Sequence, residues 1–115
     1  MKTTKTVSEL RTLLSRVKGP IGLVPTMGAI HEGHVALLKK ARTDCSTVVA
    51  SIFINPNQFN RKEDYFNYPQ NLSQDVKIMS EESVDIIFNP QLKEIYPSSY
   101  ATTVNVKNLS DRLEG

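Results

Sequence analysis

The sequence predicts an α/β fold, a parallel sheet with flanking helices, and three observations carry that expectation. Short apolar runs (Ile21 to Val24, Thr47 to Ile54, Val84 to Phe88) alternate with segments whose apolar residues recur at helical spacing. Each run is closed by a turn rich in Pro or Asn: Pro25-Thr26-Met27-Gly28, Asn55-Pro56-Asn57 and Asn89-Pro90. The chain has 115 residues, 39% of them hydrophobic, which is enough for one domain with one core. Strand and helix in alternation make βαβ units, whose crossovers are right-handed.

Thr6-Val7-Ser8-Glu9 has the form of a capping box, and Val7, Leu10, Leu13, Leu14 and Val17 follow at helical spacing until Gly19-Pro20. A helix over residues 7–18 is expected. Ile21 to Val24 reads as a buried strand that opens into a loop. A second helix is expected from about His31 to Thr43, with Val35, Leu38 and Ala41 inward. Lys39, Lys40 and Arg42 lie near its C-terminal end, where cations suit the helix dipole, and read most simply as a solvated face. Thr47 to Ile54, rich in β-branched residues, should be a central strand. Leu72, Val76 and Met79 mark a third helix, Val84 to Phe88 a third strand, and Thr102 to Val106 an edge strand.

Fourteen Lys plus Arg against twelve Asp plus Glu leave a formal charge of +2. Without a single-sign run, nothing favours nucleic acid or an acidic membrane surface as partner. No apolar stretch is long enough to span a bilayer, the N-terminus does not resemble a secretory signal, and a cytoplasmic location is expected. Cys45 is the only cysteine and reads as an incidental or buried thiol.

The stretch Pro25 to His34 holds the chemistry, because it stands where a strand hands over to a helix and ligands of open α/β sheets bind at the carboxyl ends of strands. Free N–H groups and the dipole of a first helical turn attract phosphate. His31 and His34, the only two histidines, are three residues apart, so both imidazoles face one side and can donate to one anion. Gly33 between them leaves room for a nucleotide against the backbone. The plainer alternative is a helix cap and a core histidine. A metal site lacks an evident third ligand, and none is assigned. Gln58, in a Pro-bounded turn after the strongest strand, has an amide that can both donate and accept. Asn55 suits a turn residue bonding its own backbone as well as a ligand, and Tyr68 suits packing as well as binding.

H-x-G-H is a mark of the nucleotidyltransferase superfamily, and with Pro25-Thr26-Met27-Gly28-Ala29 before it the sequence resembles the pantothenate synthetase family, Ile30 standing for that family's Leu. The resemblance runs on through Ser51-Ile52-Phe53-Ile54-Asn55-Pro56-Asn57-Gln58-Phe59, Glu63-Asp64, Tyr68-Pro69, Val84 to Pro90, Glu94-Ile95-Tyr96-Pro97 and Leu109 to Gly115. Gln70 stands where the family usually has Arg, and Ser83 where Gly commonly ends the third helix.

The resemblance implies a Rossmann-like nucleotide-binding domain and an ATP-dependent ligase that joins pantoate to β-alanine through pantoyl adenylate, releasing pyrophosphate and AMP. It implies an ATP loop of Met27, Gly28, Ala29, Ile30, His31, Glu32, Gly33 and His34, with His34 and His31 catalytic and His34 the proton donor to the phosphoryl group. Gln58 would bind pantoate near the β-alanine site, with Met27, Asn55 and Tyr68 as further substrate contacts. Mg²⁺ would arrive with the nucleotide, and the assembly would be a homodimer. Family motifs that come later in the chain, and a second domain, are not in these 115 residues, so residues 1–115 are expected to be a truncated domain of weak or no activity. Two other readings are a non-catalytic nucleotide-binding or self-association module, and another H-x-G-H adenylyltransferase. The last typically shows Gly-x-Phe-Asp-Pro where this chain has Pro25-Thr26-Met27.

Overall fold

Thr6 opens the first helix as its capping box predicts: its Oγ1 accepts from the Glu9 N–H at 3.1 Å while Glu9 Oε1 accepts from the Thr6 N–H at 3.2 Å. The computed structural model describes residues 1–68 and 70–96. Helix α1 (Val7–Leu14) is shorter than the expected 7–18. Its end tightens, with the Arg16 and Val17 N–H groups donating to the carbonyls of Leu13 and Leu14 ahead of Gly19-Pro20.

Four parallel strands follow the order β1-β4-β3-β2: β1 (Lys2–Thr4), β2 (Ile21–Thr26), β3 (Thr47–Ile52) and β4 (Ile86–Phe88). The α/β expectation holds, and β3 is interior as expected. Helices α2 (Glu32–Asp44), α3 (Lys62–Phe66), α4 (Leu72–Glu81) and α5 (Leu92–Ile95) complete the described elements, with a 3₁₀ turn at Pro56–Gln58. The expected strand at Thr102 to Val106 lies outside the described residues, as do Pro69 and the matching block Leu109 to Gly115.

Strand alternation divides the core. On one face Val24, Val48, Ala50, Ile52 and Ile87 pack with Leu38 of α2 and Met79 of α4. On the other, Val49, Ile86 and Phe88 meet Val7, Leu10, Leu13 and Leu14 of α1 and Ile95 of α5. One expectation is corrected here: among the described residues Ile21 to Val24 belongs to an edge strand, buried on one side only, and Leu23 is 62% exposed. Leu23 lies opposite Val49 in the ladder, on the α1 face, where α1 shelters Val49 but not Leu23. An edge also accommodates Pro25, which has no N–H to give a further strand.

Arg42 is the second correction, because it is no solvated cation. Its Nη1 donates to Asp85 Oδ2 at 2.7 Å and to the Ser83 carbonyl, and its Nη2 to the carbonyls of Cys45 and Ser46. Asp85 also accepts from the Val48 N–H at 2.8 Å, so this fork ties α2, β3 and the entry to β4 together at the amino end of the sheet. Lys39 and Lys40 remain exposed, in loose ion pairs with Glu82 and Asp44. No described helix is long and apolar enough to cross a membrane.

Candidate active site

At the carboxyl end of β2 the Thr26 hydroxyl donates to the Ser51 carbonyl of β3 at 2.9 Å and accepts from the Gly28 N–H at 3.1 Å. The backbone then takes two left-handed residues, Gly28 (φ 79) and Ala29 (φ 52). Alanine in that region is disfavoured by about 1–2 kcal/mol, and a buried carboxylate holds it there. Asp75, in the first turn of α4 and 3% exposed, accepts from the Ala29 N–H at 3.1 Å through Oδ2 and from the Ile30 N–H at 3.0 Å through Oδ1. A Cβ on Gly28 would come within 2.9 Å of Asp75 Oδ2, so only glycine fits both the backbone and the space.

His31, in extended backbone, is the N-cap of α2. Its Nδ1 accepts from the Gly33 N–H at 3.1 Å, and His34 Nδ1 reaches back to accept from the His31 N–H at 3.2 Å. The two histidines thus form a reciprocal cap of the kind usually built from Ser or Thr with Glu. Their rings stand 4.1 Å apart at 43°. A nitrogen that accepts an N–H carries no proton, so each neutral imidazole is the tautomer with hydrogen on Nε2, assigned from the bonding pattern. Gly33 is required by the cap itself, since a Cβ there would meet the His31 ring at 2.9 Å.

The expectation of free amides at this first turn is met only in part, since the Glu32 N–H has no hydrogen-bond partner among the described residues. The N–H groups of residues 28, 29, 30, 31 and 33 are all bonded to side chains, so the imidazole Nε2–H groups and the Glu32 N–H are the donors this turn offers outward. His34 titrates below its ordinary value of 6.5, chiefly through burial and then through the neighbouring His31, with Asp75 pulling the other way. His34 is accordingly neutral at pH 7, a donor through Nε2–H without a charge to desolvate.

Beside this turn a cleft of about 430 Å³ opens at the carboxyl ends of β2 and β3, lined among others by Thr26, Met27, His34, Asn55, Gln58 and Tyr96. Its size is that of a small-molecule site. Met27, His34, Asn55 and Gln58 therefore come together as the sequence predicts. Asn55 serves a turn as well: Oδ1 accepts from the Asn57 N–H at 3.0 Å, and its amide nitrogen donates to the Tyr96 hydroxyl at 3.1 Å. The side-chain amide of Gln58 has no hydrogen-bond partner among the described residues. His31 is not in the lining, and Tyr68 is outside it too, its ring edge-on to Phe59 at 5.5 Å. Ile30 packs on the core, and Glu32 is exposed in the first turn of α2. Met27 and Gly28 also border a smaller hollow of about 190 Å³ that reaches Asp75, Asn71 and Asn89.

Sequence reasoning missed Thr26, Asp75 and Tyr96. Thr26 and Tyr96 lie inside matching blocks and could have been singled out by their hydroxyls. Asp75 gave no signal, since 45 residues separate it from the Ile30 N–H it accepts. Among the described residues no group of three or more His, Cys, Asp or Glu is placed to hold a metal ion.

Fold and turn together define a parallel α/β domain that presents an H-x-G-H pair at the carboxyl ends of its strands. Comparison with known proteins sharpens this class. The sequence model of the pantoate-beta-alanine ligase family matches residues 2–115, and the chain belongs to that family. It is 48% identical over 113 residues to pantothenate synthetase of Pelotomaculum thermopropionicum and 49% identical over 114 residues to that of Aquifex aeolicus, in each case covering 96% of this chain and 40% of the relative. The chain thus spans about 40% of the length of these relatives. A crystal structure of the pantothenate synthetase of Thermus thermophilus superposes with a TM-score of 0.81 at 47% identity, over 89% of this chain and 36% of that one. The pantoate-beta-alanine ligase of Francisella tularensis, complexed with beta-gamma ATP and beta-alanine, gives 0.82 at 42% identity, over 85% and 38%.

Proposed function

We propose that residues 1–115 supply the nucleotide turn and part of the substrate cleft of an ATP-dependent ligase that joins pantoate to β-alanine. The single observation that carries this reading is the reciprocal histidine cap, which fixes two Nε2–H donors beside a cleft of suitable size. Met27 to His34 bind ATP, with Mg²⁺ carried on its phosphates. A carboxylate oxygen of pantoate attacks the α-phosphorus, the bond to pyrophosphate breaks, and the amine of β-alanine then displaces AMP from the acyl carbon.

Charge grows on the phosphoryl oxygens in the first step, and donors already fixed in place stabilise it without reorganising. In this role His34 donates its Nε2–H to the phosphoryl group, and His31 holds the turn and lends the second donor. The amide of Gln58, without a hydrogen-bond partner among the described residues, binds pantoate, with Met27 and Asn55 beside it. Tyr68, turned to Phe59, contributes to substrate binding only if another part of the protein brings the substrate to it. The similarity to a ligase complexed with beta-gamma ATP and beta-alanine supports the choice of nucleotide and amine. The proposed setting is cytoplasmic and homodimeric. Support for self-association comes from Ile21 and Leu23, exposed on β2, the last strand of the sheet among the described residues, and light scattering across a dilution series reads it directly.

Calorimetry with ATP and Mg²⁺ tests the reading. The chain is expected to bind, and the double variant His31→Ala with His34→Ala to bind at least tenfold more weakly while keeping its far-ultraviolet dichroism. Equal affinity in the double variant rejects the site. The 115-residue chain alone is expected to form product far below a typical turnover of roughly 10 s⁻¹.

A further inference from the structure

We infer that Asp75 is the positioning residue of the nucleotide turn, its carboxylate gripping the Ala29 and Ile30 amides so that the His31–His34 cap is presented at the mouth of the cleft. The inference rests on the nucleotide reading above and adds to it a residue from a distant part of the sequence. Three observations converge on it. The carboxylate is buried, with 3% of the residue exposed, yet it has no cationic partner among the described residues. Burying a carboxylate is costly unless hydrogen bonds compensate, and both oxygens are spent on the turn. The turn it grips carries the left-handed Ala29, a conformation that persists only where its surroundings impose it.

The grip also removes competing uses of those amides. Ala29 and Ile30 N–H groups left free would be donors to an incoming phosphate, drawing it to the start of the turn and away from the imidazoles. With Asp75 in place, the outward donors are the two Nε2–H groups and the adjoining Glu32 N–H, all at the helix start and none at Ala29 or Ile30. Asp75 borders the smaller hollow and is not in the lining of the cleft that holds His34 and Gln58, and both its hydrogen bonds go to the backbone of the turn.

Two variants test this in the 115-residue chain. Asp75→Asn keeps the shape but gives up one acceptor, and Gly28→Ala attacks the same contact from the other side, where a Cβ would meet Asp75 Oδ2. Amide hydrogen exchange in both is expected to speed up at least tenfold at Ala29 and Ile30 and to stay within twofold at Val49 and Ala50 of β3. The dissociation constant for ATP with Mg²⁺ is expected to rise at least tenfold in parallel. Exchange unchanged at the turn, or an increase shared equally by β3, overturns the inference, the second because it marks a loss of overall stability. Unchanged ATP affinity beside faster exchange at the turn also overturns it. Failure of the wild-type chain to bind ATP rejects the nucleotide reading instead, and the exchange comparison then still decides whether Asp75 holds the turn.

Discussion

Asp75 and Asp85 stand at opposite ends of one parallel sheet and do different work with the same group. Asp85, at the amino end, is paired with Arg42 at 2.7 Å and takes the Val48 N–H, in a fork that also satisfies three carbonyls. Asp75, at the carboxyl end, is more deeply buried and rests on two backbone amides of a strained turn. The amino end is braced by charge against charge and fixes how α2 meets the sheet. The carboxyl end is held by a carboxylate that defines the shape of a loop. An ion pair and its carbonyls join elements at one end of the strands, and a carboxylate shapes the turn at the other.

Arg42→Ala should break the amino end most severely. It strips Asp85 of its cation and the Ser83, Cys45 and Ser46 carbonyls of their donor, at about 1–3 kcal/mol; the partial exposure of the pair holds the loss within that range. Urea denaturation should show the lower midpoint, while ATP affinity of the folded variant stays within twofold of wild type. A tenfold loss of affinity would mean that the two ends are not separate.

His31→Ala acts at the carboxyl end and should cost about 1 kcal/mol as a lost helix cap, together with a measurable loss of ATP affinity. A variant that loses stability but binds as before would reduce His31 to a cap.

The two ends were unequally legible in the sequence. His31, His34 and Gln58 could be found because they sit in sequence next to strand ends, and a parallel sheet gathers its strand ends on one side. The central strand was legible in its β-branched run, from Thr47 onward. Asp75 was invisible, because its role depends on α4 packing beside the β2 turn and no local pattern records that. Arg42 was misread for the same reason, its acceptors lying on chain segments that only the fold brings near. Strand β1 leaves no local signal because Lys2-Thr3-Thr4 is short and polar, and it pairs with β4 across more than eighty residues. Ile21 to Val24 shows the limit of an apolar run, which does not say how much of each face a helix will cover.

Ser83 sharpens the amino end with a gain. It follows α4 in the left-handed region (φ 62), where glycine carries no Cβ penalty, and its carbonyl accepts from Arg42. Ser83→Gly should raise stability by up to about 1 kcal/mol, seen as a higher midpoint with unchanged ATP affinity.

The smallest effect is a dependence on pH. His34 titrates lower in the folded chain than its ordinary 6.5, so the unfolded chain binds the extra proton first. Stability from this group is fully present above pH 6.5 and is lost as pH falls through the folded-state value. Protonation also takes Nδ1 out of service as an acceptor and opens the cap. His34→Gln should flatten this part of the pH profile, and a profile unchanged by that substitution would deny His34 the role.

In the proposed site the backbone cap holds both imidazoles as Nε2–H donors for a nucleotide. Side-chain nitrogen NMR of the two histidines, at pH 7.5 and during titration with ATP and Mg²⁺, tests it most directly. Nε2–H tautomers are expected for His31 and His34 before ATP is added, with a shift of both Nε2 resonances that saturates with the nucleotide. Nδ1–H tautomers, or Nε2 resonances unmoved at saturating ATP, would contradict it.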